Sequence, residues 1–123
     1  MGSVGTIAGK SNLDFSSQGT YNFDGQKAPS GLKTFNGYVK GNPNVTWQGT
    51  TYQIQNVVDY DSTKNGEYVA GHLYVPNSSG KGSFFVSENN ELYHDGSQYL
   101  RDKKLARAQG RTIEEYRNRR RNM

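Results

Sequence analysis

Two histidines, nine tyrosines, one tryptophan and no cysteine set the chemistry this chain could perform. Without cysteine there are no disulfides, thiol nucleophiles or thiolate metal sites. His72 and His94 belong to no His-Glu-x-x-His metal motif, and no serine sits in a nucleophile elbow. The stretch DYDSTKNGE at 59–67 alternates oxygen-bearing side chains like the start of a calcium loop. Lys64 stands where that loop needs glycine, and no glutamate occupies its twelfth place, so the stretch reads as a turn. His72, between Ala70 and Tyr74 on one strand face, reads as a structural imidazole. The enzyme that composition leaves open is a small metal-independent nuclease, with His72 or His94 as the base and arginines on the phosphate. Nothing in the spacing favours it. No catalytic residue, metal ligand or cofactor is assigned.

Binding has more material. Trp47, Tyr52, Tyr68, Tyr74 and Tyr93 lie in or beside strand-like runs, where flat rings could stack on sugars or bases. Half-buried tyrosine is also what a small β core short of aliphatics would use. The expected partner of such a face is a protein or a polysaccharide at a surface.

The second candidate is the basic end. Residues 101–123 hold nine Lys or Arg against three acids, net +6, whereas residues 1–100 carry six basic and eight acidic residues, net −2. Arg111, Arg117, Arg119, Arg120 and Arg121 are therefore candidate anion contacts. They could provide weak, sequence-independent attraction to nucleic acid, anionic lipid or a wall polymer. Ala106 and Gly110 have the spacing of a helix-turn-helix. Gln109, Arg111 and Arg119, however, put polar groups where that motif needs packing residues. The remaining alternative is a solvated charge run at a terminus.

These residues need elements to hold them. Apolar residues make up 32% of the chain, below the usual ~45–50% that also counts glycine, and there are 15 glycines. The polarity comes from Gly, Ser, Thr, Asn and Gln, which favour turns. In composition the chain is similar to exported or surface proteins of bacteria and their phages. Short β-branched and aromatic runs, TFNGYVKG, VTWQG, TTYQIQNVVDY, EYVAGHLYVP and GSFFVSE, are bounded by Gly, Asn, Pro or Ser. They predict a meander, with EYVAGHLYVP as a central strand because it is apolar on both faces. Strict alternation would put Tyr68, Ala70, His72 and Tyr74 on one side of it, and Tyr52, Ile54, Asn56, Val58 and Tyr60 on one side of its neighbour.

Asn65-Gly66 marks a hairpin turn, Asn89-Asn90 a bend, and Asp95-Gly96 a second hairpin between strands at 91–94 and 97–100. Helix follows: RDKKLARAQ, stopped by Gly110, then TIEEYRNRRR behind a Thr112–Glu115 capping box. The expected fold is mainly β, a small antiparallel barrel or sandwich of about six to eight strands closed by one or two short C-terminal helices. Its parts are a flexible arm with one strand near 19–24 over 1–33, an antiparallel β domain over 34–100, and a basic helical segment over 101–123.

No apolar run is long enough to span a membrane, and the first residues lack the basic start and apolar stretch of a secretory leader. The expected function is a non-enzymatic binding or structural module, extracellular or at a cell surface after loss of a leader. The alternative is a cytoplasmic nucleic-acid-binding protein using the basic segment.

Overall fold

The computed structural model describes residues 13–121. The mainly β fold is borne out: six antiparallel strands form one sheet in the order β1-β6-β5-β4-β3-β2, curled into a half-barrel and followed by two helices. The strands are β1 (Asp24–Lys27), β2 (Asn44–Trp47), β3 (Thr50–Asp61), β4 (Gly66–Pro76), β5 (Phe84–Ser87) and β6 (Glu91–Tyr93). The helices are α1 (Gly96–Ala108) and α2 (Ile113–Arg121).

Turn chemistry explains the connections. Gln48 and Gly49 both adopt positive φ between the paired Trp47 and Thr50, the backbone of a two-residue hairpin. Between β3 and β4, Asp61 accepts from the Thr63 amide at 2.9 Å and starts a 3-10 turn, Ser62–Lys64, which ends at left-handed Asn65. Asn90, also left-handed, makes the β5–β6 bend, where Ser87 Oγ accepts from the amides of Asn89 and Glu91.

β4 is central and apolar on both sides, as its composition implies. The alternation along it is interrupted. The β3–β4 register shifts between Val57 and Val58, and this bulge reverses which face later residues present. His72 and Tyr74 point to one face, while Ala70, Tyr68 and Val57 join Leu73 and Phe85 on the other. Tyr60 and Val58 are left exposed beyond the bulge.

Each face has its own cover. On the first, Tyr52, Ile54, Tyr74, Phe84, Val86 and Leu92 pack with Phe15, Phe23 and Leu32 from the N-terminal segment. Phe15 sits edge-on to Phe23, Trp47 and Phe84 with ring centroids 4.6 to 5.1 Å apart, the edge-to-face geometry that aromatic quadrupoles favour. On the second, α1 and α2 cover Ala70, Phe85 and Tyr93, with Tyr99 buried at the contact.

Four local expectations are corrected. Asp95-Gly96 is not a hairpin and 97–100 is not a strand. Asp95 caps α1 by accepting from the Gln98 amide at 2.9 Å, and Tyr99, Asp102 and Ala106 then recur on one buried helical stripe. The strand placed at 19–24 is a 3-10 turn at Gly19–Asn22 with the strand displaced to β1. There Gly25, at φ +92°, makes the register with β6 irregular. TFNGYVKG forms no strand. Gly37 and Gly41 turn it at positive φ, and it crosses the first face with Phe35 stacked on His72 at 5.0 Å. Finally, residues 13–33 supply core side chains and an edge strand instead of an arm. The part of that arm expected over residues 1–12 lies outside the described residues.

Candidate functional site

Three of the five candidate rings are structural. Tyr52, Tyr74 and Tyr93 are buried, with at most 1% of their surface exposed, and so offer no face to a ligand. Tyr74 stacks on Phe84 at 4.8 Å and donates its hydroxyl to the Lys33 carbonyl, and burial pushes that hydroxyl up to about 12. Burial likewise pushes the Tyr93 hydroxyl up, with the Arg117 guanidinium opposing it. Trp47 is half-buried against Phe15. Tyr68 alone stands beside an open site.

The basic end is similarly divided. Arg117, 3% exposed, donates to Tyr93 Oη at 2.5 Å and to Glu91 Oε2 at 3.1 Å. Gly25 makes this possible, since a Cβ there would collide with the Arg117 guanidinium. Arg120 bridges Asp102 at 2.9 Å and Asp24 at 2.5 Å. These two candidate anion contacts therefore fasten α2 to α1 and to β1 and β6. Arg119 is exposed. The Arg121 backbone ends α2, and its side chain lies outside the described residues. A helix-turn-helix insertion that used Arg117 would have to break a buried pair.

What remains of the charge converges on a groove of about 400 Å³ between the 3-10 turn after β3, the β5–β6 bend and the α1–α2 turn. Its charged walls are Asp61, Lys64, Glu88, Lys103, Arg107 and Arg111. Two cations are already paired. Lys103 bonds Glu88 Oε2 at 2.9 Å and the Tyr68 hydroxyl. Burial works against its charge, but these bonds outweigh burial and hold the ammonium above its ordinary value. Arg107 meets Asp61 at 3.3 Å. The Asp61 carboxyl is held below its usual range by the Thr63 hydroxyl and amide.

The other two cations, Lys64 and Arg111, line the same groove and have no acid partner among the described residues. Lys64 is placed by the 3-10 turn, its ammonium 5.1 Å from the centre of the Tyr68 ring. Arg111 is placed by the end of α1. Gly110 at φ +68° donates to the Arg107 carbonyl and the Arg111 amide donates to Ala106, which together form a Schellman turn. Arg111 Nε is buried and has no hydrogen-bond partner among the described residues.

Against this geometry stand the comparisons with known proteins. No protein family, curated protein or solved structure matches the chain. Among the described residues no helix is long and apolar enough to cross a membrane.

Arg111 and Tyr68 stand out as candidates in the sequence, whereas Lys64 shows there only as an obstacle to calcium, Asp61 only as one oxygen-bearing residue of a turn, and Glu88 by no local signal. Lys64 and Arg111 lie 47 positions apart, and no local pattern reports that they face one space.

Proposed function

We propose that this protein is a binding module that captures an anionic ester group, phosphate or sulfate, in the groove between Lys64 and Arg111. The observation that carries this reading is that Lys64 and Arg111 line one groove without acid partners among the described residues, beside two cations that are already paired. An oxyanion entering there would accept from a guanidinium on one side and an ammonium on the other, both charge-assisted bonds. The Lys103–Glu88 and Arg107–Asp61 pairs would stay intact and give the walls their shape. Turn-rich, polar composition supports a setting at a cell or virion surface, where phosphorylated and sulfated polymers are abundant anions.

Competing with this is adhesion of nucleic acid to the basic helix, which would rest on Arg119 and its neighbours. Calorimetric titration with inorganic pyrophosphate, a heparin tetrasaccharide and a short single-stranded DNA separates the two. Lys64→Ala with Arg111→Ala should weaken binding at least about tenfold, the loss of roughly 1.4 kcal/mol, while Arg119→Ala leaves it unchanged. Equal losses from Arg119→Ala, or no heat with any of the three anions at low salt, would reject the groove.

A further inference from the structure

A second cavity of about 360 Å³ lies where the N-terminal segment meets the start of α1, walled by Ser17, Thr20, Tyr21, Ser83, His94 and Asp95. Its chemistry is opposite to that of the anion groove: it contains a carboxylate and no Lys or Arg. We infer that it is a binding site for a neutral saccharide, with Tyr21 as the platform and Asp95, Ser17 and Ser83 as partners for sugar hydroxyls.

A pyranose presents an apolar C–H face and a rim of hydroxyls that both donate and accept. Recognition therefore needs one accessible flat ring and several short polar groups at fixed positions. Tyr21 is 73% exposed on the 3-10 turn Gly19–Asn22, with its ring 5.9 Å from that of His94 and tilted 49° to it. One wall of the cavity is thus an accessible aromatic surface, in contrast to the buried rings of the core.

The polar groups are held in place. Asp95 Oδ1 accepts from the Gln98 amide at 2.9 Å, and Oδ2 lies 2.9 Å from His94 Nε2. His94 Nδ1 in turn lies 2.9 Å from Gln98 Oε1, so the imidazole is held between the two side chains. The Asp95 side chain lines the cavity and is still 46% exposed, which leaves the carboxylate acceptor capacity beyond these contacts. Thr20 donates to the Ser17 carbonyl at 3.2 Å, which fixes the segment that carries Ser17 and Tyr21. The opposite wall is joined to it by the Gly82 amide on the Phe15 carbonyl at 3.2 Å and by the Ser16–Lys81 bridge. A Cβ at Gly82 would strike the Thr20 hydroxyl, so only glycine lets the two walls approach this closely. The hydroxyls of Ser17 and Ser83 are exposed at the rim, which leaves them for a ligand.

The test is titration of the whole chain with neutral oligosaccharides (cellohexaose, maltohexaose and chitohexaose) and with oligogalacturonate as the charged counterpart. At least one neutral probe should bind at millimolar concentration or below, and oligogalacturonate at least about tenfold more weakly, because Asp95 repels it. Tyr21→Ala should weaken the neutral probe about tenfold or more without moving the thermal midpoint, and Tyr21→Phe should keep it within about twofold. Lys64→Ala should leave it unchanged, which separates this site from the anion groove. No binding of any neutral probe at millimolar concentration, or full binding by Tyr21→Ala, would overturn the assignment.

Discussion

The two faces of the sheet are built on different principles. The first is closed by rings: Phe15, Phe23, Tyr52, Tyr74 and Phe84 interlock edge to face except where Tyr74 stacks on Phe84, and no ion pair joins the sheet to its cover there among the described residues. The second is closed by helices whose inward stripes carry charge, and these charges have partners on the sheet, in its β5–β6 bend or on the other helix: Arg117 with Glu91, Lys103 with Glu88, Arg120 with Asp24 and Asp102. A chain short of aliphatics completes its second core layer with paired ions. Buried pairs contribute little net stability over apolar packing, yet removing one member leaves an uncompensated charge. The second face is therefore positioned more specifically than it is stabilised.

The largest expected effects test that contrast directly. Arg117→Ala should destabilise by about 3–5 kcal/mol because it leaves buried Glu91 with only the exposed Lys27, 3.7 Å away, as a partner, and Phe84→Ala by about 3–5 kcal/mol through the cavity it leaves. Only the first has a rescue: Arg117→Met combined with Glu91→Leu should recover most of the loss in urea unfolding. If that double variant stays as unstable as Arg117→Ala, the pair stabilises more than its desolvation costs and the contrast is wrong.

Next in size is Gly71→Ala. A Cβ there would meet the Phe85 ring and the Val86 carbonyl, and forcing it in should cost about 1–3 kcal/mol. The same unfolding curves check it, and a cost near zero would mean that the sheet can flatten at the bulge. Thr112→Ala should cost about 1 kcal/mol. It removes the hydroxyl that accepts from the Glu115 amide at 3.1 Å, one half of the capping box. Hydrogen exchange should show the loss in α2 and not in the sheet.

Smallest, and opposite in sign on the two faces, are the responses to pH. Burial holds the His72 imidazole below its ordinary 6.5, although the Gly37 carbonyl at 2.6 Å pulls it up. The unfolded chain takes up this proton first as pH falls, so the contribution is present above 6.5 and is lost below it. Burial raises the Asp102 carboxyl above 3.8, opposed by Arg120. The unfolded chain then releases its proton first, so this contribution is present below 3.8 and is lost as pH rises through the raised value. Urea midpoints across this range should therefore fall less on acidification in His72→Leu, and fall less on alkalinisation in Asp102→Asn. Identical profiles for both variants and the parent would remove the link to either group.

Legibility followed sequence distance. The Thr112–Glu115 box, the Gly110 stop, the Asn65-Gly66 turn and the central character of β4 are decided within a few residues and were readable. Asp95-Gly96 misled because the same dipeptide serves a hairpin or a helix start. The choice was made by Tyr99, whose ring is buried on Phe85 and Tyr93 only if the chain turns helical there. For the candidate tyrosines, alternation marks a face without saying whether anything covers it: residues 13–33 cover Tyr52 and Tyr74, and the helices cover Tyr93.

By itself the sequence determined the class of fold, the turns and caps, and the concentration of positive charge at the C-terminal end, since periodicity, glycine backbone freedom and formal charge are properties of neighbouring residues. Only the tertiary structure decided which of that charge is paired. Arg120 finds Asp24 from 96 positions away and Arg117 finds Glu91 from 26, which leaves Lys64 and Arg111 facing one groove. Whether a charge is paired inside the fold or left unpaired depends on which distant groups the fold brings within about 4 Å, where the attraction between opposite unit charges is large enough to offset much of their desolvation, and no local pattern encodes that distance.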